Sequence, residues 1–301
     1  MRLGIDLGGT KIEAAVIGPD GGFRDRRRVP NPKSYESMLD AIAGLIEENE
    51  RQVGQTFDRL GLSIPGSPSP ATGLIRNANS TYINGKPFAA DLEARLERQV
   101  RLANDANSLA LSEAVDGAAA GLPVVFGVIA GTGLGGGVVV DGRPIEGRNG
   151  LGGEWGHLPL PSATADENTA CWCGRRNCLE TYLSGSGLQR DFTSATGETL
   201  KAEEIIQRAR AGDAPASAAL DRLIERFGRA FSLVVSTLDP DMIVIGGGLS
   251  NVPEIIAGAE QALKPHIFSD VVTTPVRAAI HGDSSGVRGA AWLWPSGLET
   301  A

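Results

Sequence analysis

A chain of 301 residues is longer than one ordinary α/β core needs and fits two lobes of roughly 120 to 180 residues each. With 42% hydrophobic and 21% charged residues it reads as a soluble globular protein, and no run of about 18 apolar residues offers a membrane span. A net charge of −8 argues against a polyanionic partner, because nucleic-acid binding draws on clustered Lys and Arg.

The start, Met1-Arg2-Leu3-Gly4-Ile5-Asp6, has neither the apolar stretch nor the cleavage site of a secretory signal, so a cytoplasmic location is expected. Residues 2–7 alternate and end in Gly8-Gly9-Thr10, and 12–17 is again apolar and β-branched, which predicts a strand, a glycine turn and a second strand. The one basic cluster, Arg24 with Arg26, Arg27 and Arg28, reads as a solvated strand edge or turn. Tyr35 to Gln52 carries Met38, Ile42, Leu45 and Ile46 in helical register, and 58–64 resumes a strand closed by Pro65-Gly66-Ser67-Pro68. After the polar loop Asn77-Ala78-Asn79-Ser80-Thr81, a helix is expected over Asp91 to Gln99 with Asp91 as its N-cap. Val100 to Ala103 is a short strand that delivers Asn104-Asp105, and Ser108 to Ala120 is an alanine-rich helix.

Beyond Gly121-Leu122-Pro123 the pattern restarts as strand 124–130, turn Gly131-Thr132-Gly133, strand 134–140 and a turn at Asp141-Gly142. This repetition suggests two lobes related by duplication. Helices follow at 200–211 and 216–238, then the strand Met242 to Ile245 ending in Gly246-Gly247-Gly248. A helix at 253–263, a strand near 275–280 and a helix at 286–294 finish the pattern.

Gly8-Gly9-Thr10-Lys11 lacks the spacing of a Walker A loop and joins two strands. A hairpin alone explains one such turn, but three glycine clusters at strand ends, two bearing Thr, are harder to explain that way. The joint reading is a nucleotide held between lobes. Its phosphates lie against Gly8, Gly9, Thr10 and Lys11 and against Thr132, Gly133, Gly135 and Gly136, with the adenosine near Gly247 and Gly248. Asp6 is either a capping carboxylate or an anchor for Mg²⁺, and the second reading is favoured. Asp105, at a strand end before a helix, suits a helix cap as well; beside an ATP site it is the base that accepts the proton of an attacking hydroxyl.

The three cysteines, Cys171, Cys173 and Cys178, together with His157 make the Cys₃His set of a closed structural Zn²⁺ site. Free thiols are the weaker alternative. Zinc would clamp a loop that presents Glu154 and Glu180 to a polyol.

Asp6-Leu7-Gly8-Gly9-Thr10-Lys11, Glu154-Trp155-Gly156-His157 and the box Cys171-Trp172-Cys173-Gly174-Arg175-Arg176-Asn177-Cys178-Leu179-Glu180 resemble the motifs of the ROK family of repressors, open reading frames and kinases. Within it, residues 77–88, 101–121 and 281–295 are similar to bacterial fructokinases of the mannokinase type. The resemblance implies an α/β, two-lobed actin/hexokinase-like (ribonuclease H-like) fold with an interlobe cleft. Residues 1–120 would form the N-terminal lobe, with a C-terminal helix at 286–301 packing back on it, and 121–285 the C-terminal lobe with the zinc loop. It also implies Asp105 as base, and Asn79, Asn104, Glu154, His157 and Glu180 as contacts to sugar hydroxyls. The activity implied is ATP- and Mg²⁺-dependent phosphorylation of a hexose at its 6-hydroxyl, fructose first; the alternatives are N-acetylhexosamine, mannose or glucose. A small sugar is the expected partner, with neither nucleic acid nor membrane, and a homodimer is left open. Asn177 stands where the family usually has Gly, and Asn tolerates the left-handed backbone. Repressors of the family carry a winged-helix segment before the first glycine turn; Met1 begins the first strand here, which disfavours that reading, and a non-catalytic sugar sensor would lack Asp105.

Overall fold

The computed structural model describes residues 1–294; the final stretch of the expected 286–301 helix, residues 295–301, lies outside them. The chain divides into two compact units, one of Met1–Gly121, Gly137–Gly152 and the segment from Asp283, the other of Leu122–Gly136 and Gly153–Gly282.

In the first unit β1 (Arg2–Leu7), β2 (Lys11–Ile17), β3 (Phe23–Pro30), α1 (Tyr35–Val53) and β4 (Arg59–Ile64) lead through the short pair β5 (Ser67–Pro68) and β6 (Ile75–Arg76) to α2 (Phe88–Leu96), β7 (Gln99–Asn104) and α3 (Asp105–Val115). The sheet order is β3-β2-β1-β4-β7, with β1 antiparallel to β2 and parallel to β4. The central strand β2 is buried at nearly every position because both faces are covered, whereas β3 alternates as an edge strand does. The basic cluster lies on that edge, where Arg26 and Arg28 both pair with the buried Glu13, Arg28 at 2.6 Å. Leu3, Ile5, Ile12, Met38, Ile42 and Leu45 fill the core under this sheet. The last helix, α8 (Ser285–Trp292), packs on β1 and β4 at glycines: a Cβ on Gly61 would stand 1.8 Å from the Ala290 carbonyl oxygen. Arg101 donates to the Leu293 carbonyl at 2.9 Å, so a cation meets the carbonyl end of α8.

The second sheet repeats the order as β10-β9-β8-β11-β12, from β8 (Val124–Ala130), β9 (Leu134–Val140), β10 (Arg143–Pro144), β11 (Met242–Gly246) and β12 (Val276–Ala278). β11 runs parallel to both β8 and β12. The helices of the second unit are α4 (Gly185–Thr196), α5 (Ala202–Arg210), α6 (Ala214–Leu238) and α7 (Pro253–Ala262). Its core contains Trp155, stacked on Phe231 at 5.6 Å and meeting Phe126 edge-on at 5.3 Å. Among the described residues, no helix is long and apolar enough to cross a membrane.

Three local expectations differ from the structure. Helix α2 starts at Phe88, not at an Asp91 cap: Phe88 and Leu92 are both buried one turn apart, and this burial extends the helix back to Phe88, with Pro87 as its N-cap. Asp91 instead accepts a hydrogen bond from the Tyr35 hydroxyl at 2.6 Å. Helix α3 starts at Asp105 rather than Ser108 and stops at Val115, where the buried Glu113 carboxylate turns the chain by accepting from the Ala118 N–H at 2.8 Å. Helix α4 was not foreseen, because Gly185-Ser186-Gly187 at its start dilutes the apolar period; the Ser184 cap, the buried Leu188 and Phe192 and the left-handed Gly197 at its end were the available signals.

Candidate active site and metal cluster

Strand β7 pairs with β4 up to Ile64↔Asn104, so Asn104 is extended and the helix can begin only at the next residue. Asn104 Oδ1 accepts from the Asn107 N–H at 2.7 Å and is the N-cap of α3. Asp105 is therefore the first helical residue, exposed, with Oδ1 accepting from the Ala106 N–H at 2.9 Å. Nearby in the same unit, burial raises the Asp6 carboxyl to about 6; the charges of Asp105 and Glu13 add to this, while the Ser63 hydroxyl and Lys11 oppose it. The α8 terminus closes over that carboxylate, since a Cβ on Gly286 would lie 2.7 Å from Asp6 Oδ1. Asn79 is exposed on its loop, which Asn84 holds by bonds of 2.9 Å to both the N–H and the carbonyl of Ala78.

The three glycine turns are not equivalent. In the first, Gly8 donates to the Lys11 carbonyl at 3.0 Å and closes the hairpin, which leaves Gly9 and Thr10 exposed at its tip; a Cβ on Gly9 would meet nothing within 4 Å. In the second, Thr132 is exposed, but a Cβ on Gly133 would come within 2.7 Å of Glu180 Oε2, and one on Gly136 within 2.6 Å of the Trp155 ring. The Trp155 indole N–H donates to the Gly135 carbonyl at 3.0 Å, so these glycines seat the Glu154-Trp155-Gly156-His157 box. In the third, Gly247 has φ of 79° over the Ala130 backbone, while Gly248 opens a short 3-10 helix.

His157, Cys171, Cys173 and Cys178 bring one donor atom each to a point, all within 4.8 Å of one another. Cys173 and Cys178 sulfurs are 3.6 Å apart, and Cys171 Sγ is 3.7 Å from His157 Nδ1. A tetrahedral zinc with bonds of about 2.3 Å to sulfur and about 2.0 Å to nitrogen requires donor separations of about 3.5 to 3.8 Å, so the donor set fits this metal in chemistry and these two pairs stand near the spacing it needs. Burial, with the two neighbouring sulfurs, pushes the Cys178 thiol up to about 12, and a bridging cation would relieve this crowding. Asn177 has φ of 60°, and its side-chain oxygen accepts from the Thr169 N–H and from the Tyr182 hydroxyl, both at 2.9 Å. The left-handed position is thus filled by an Asn that also ties the loop together.

The loop before the cysteines is anchored by Glu167, which is 6% exposed and bonded to Arg226 and Arg229 of α6. Burial alone would raise its carboxyl; the two guanidinium groups and the Thr164 N–H outweigh it and hold the group down at about 2. Immediately after the cluster, Glu180 Oε2 accepts from the Leu134 N–H at 3.2 Å and Oε1 from the Trp172 indole N–H at 2.6 Å. Glu154, three residues before His157, is exposed. Sequence reasoning missed Glu167 and the role of Trp172; an acid between two metal-box segments, and an aromatic residue between two cysteines, were the only signals.

The ROK family model matches residues 2–296. The chain belongs to the ROK family. It is 39% identical over 300 residues to an N-acetyl-D-glucosamine kinase of Pectobacterium atrosepticum, covering 97% of this chain and 98% of that one. Among solved structures, a ROK hexokinase from Thermus thermophilus superposes with a TM-score of 0.88 at 33% identity, covering 97% of both chains. A ROK glucokinase from Streptomyces griseus, solved with glucose and AMPPNP, gives 0.76 at 27% identity over 96% and 97% of the two chains. The α/β fold of the actin/hexokinase class is therefore as the motifs implied. The narrower resemblance to fructokinases of the mannokinase type is corrected: this ROK protein matches N-acetyl-D-glucosamine kinases over nearly its full length.

Proposed function

We propose that this sugar kinase of the ROK family transfers the γ-phosphoryl group of ATP to the 6-hydroxyl of an N-acetylhexosamine, with N-acetyl-D-glucosamine as the preferred acceptor. The observation that carries the acceptor is the near-full-length identity to N-acetyl-D-glucosamine kinases. The observation that carries the chemistry is the placing of Asp105: with Asn104 as the N-cap, Asp105 stands exposed at the first position of α3. Asp105 takes the hydroxyl proton as the sugar oxygen attacks the γ-phosphorus, the bond to the bridging oxygen breaks and ADP leaves.

Asn79, Asn104, Glu154, His157 and Glu180 bind and orient the sugar; with Nδ1 turned to the cluster, His157 has Nε2 for a hydroxyl. Asp6 would hold Mg²⁺ or its waters, and that ion would neutralise the charge building on the phosphates. Gly8, Gly9, Thr10, Lys11, Thr132, Gly133, Gly135 and Gly136 surround the phosphates, and Gly247 and Gly248 the adenosine. Zinc bound by His157, Cys171, Cys173 and Cys178 would fix the loop and perform no chemistry. The same reading takes 1–120 with the last helix, and 121–285, as the two lobes. Initial rates with ATP against N-acetylglucosamine, N-acetylmannosamine, glucose, mannose and fructose test the proposal. The highest kcat/KM is expected for N-acetylglucosamine, and a preference for fructose would reinstate the fructokinase reading.

A further inference from the structure

Trp172 is 76% exposed, an unusual place for a large aromatic side chain, and it sits between two residues of the metal cluster. Its ring meets the His157 imidazole edge-on at 5.0 Å, and its N–H reaches Glu180. Glu180 is thus gripped from two elements, by the indole on Oε1 and by the Leu134 backbone on Oε2. An ionised carboxylate accepts about four hydrogen bonds, so each oxygen, after one N–H donor, keeps one acceptor site. With both oxygens held, the carboxylate plane is fixed and each oxygen can accept from a sugar hydroxyl. A glutamate without these donors would turn about its last torsion, which is broad, and would have to be ordered by the sugar itself.

We propose that Trp172 is a positioning residue for the sugar: its indole N–H orients the Glu180 carboxylate so that the sugar meets a preorganised acceptor. The inference rests on the reading of Glu180 as a sugar ligand. Because Cys171 and Cys173 flank Trp172, the order of the metal loop also sets where this donor stands.

The test is W172F, which keeps an aromatic ring but loses the N–H, alongside E180Q and the double variant. W172F is expected to raise KM for N-acetylglucosamine about tenfold. It should leave kcat and KM for ATP within about twofold, and keep the same zinc content and Tm as the parent. The double variant should bind sugar no more weakly than E180Q alone, since both changes remove one function. In ¹⁵N spectra the indole N–H resonance that W172F deletes should shift in E180Q. If E180Q raises the sugar KM and W172F does not, Trp172 has no such role while the Glu180 reading stands. If E180Q leaves the sugar KM unchanged, the Glu180 reading fails and this inference with it. Loss of zinc or of thermal stability in W172F, with KM for sugar and ATP raised together, would make Trp172 a structural part of the loop and overturn the proposal.

Discussion

Asn104 caps the helix that Asp105 begins, through a 2.7 Å bond from the Asn107 N–H. Only Asn104 carries the cap and only Asp105 is proposed as the base, so their variants should separate. Asp105→Asn removes the base and keeps the cap, so kcat should fall by about 10²- to 10⁴-fold with Tm nearly unchanged. Asn104→Ala should cost about 1 kcal/mol of stability measured by urea unfolding. An Asp105→Asn enzyme with kcat within a few-fold of the parent would move the base elsewhere, with Glu154 the next carboxylate to replace.

The glycine turns divide in the same way. A side chain on Gly9 meets open space, whereas one on Gly133 collides with Glu180. Gly9→Val should raise KM for ATP with little effect on KM for sugar, and Gly133→Val should raise both. Steady-state kinetics in which the two variants behave alike would show that the first turn does not approach the phosphates.

Asp6 makes stability depend on pH in a defined direction. Its folded-state value, about 6, lies above the ordinary 3.8, so the native state holds its proton more tightly than the unfolded chain does. The stability this contributes is complete below about pH 4 and is lost as pH rises through about 6. Asp6→Asn should remove that part of the slope, making the variant's advantage over the parent grow by roughly 3 kcal/mol between pH 4 and pH 8. Urea unfolding of both proteins across this range is the measurement, and a constant difference would show that Asp6 titrates normally.

Protein purified without added metal should contain about one zinc per chain by elemental analysis, because four protein donors complete the tetrahedron. Cys173→Ser should lose the metal and weaken sugar binding, since Glu180 follows the cluster directly and its Trp172 donor lies inside it. Full activity in protein shown to be metal-free would remove the metal from the account.

Much of the site was legible in the sequence because it is local. The cysteine box closes within eight residues, the first hairpin is set by a glycine turn between two apolar runs, and α1 follows from its apolar period. Asn177 was readable as a left-handed residue from its place in the box, and φ of 60° agrees. What the sequence left open is what depends on distant segments. Two adjacent residues, Asn104 and Asp105, are both good caps, and β7 pairing with β4 as far as Ile64 decides between them. The high pKa of Asp6 comes from burial in the first unit, where Gly286 of α8 comes to lie against its carboxylate. Glu180 acquires its orientation from Leu134, which lies 46 positions earlier in the chain. Turn chemistry and ligand spacing act over a few residues and can be read along the chain, whereas desolvation and hydrogen-bond choice are set by whichever segments the fold brings together.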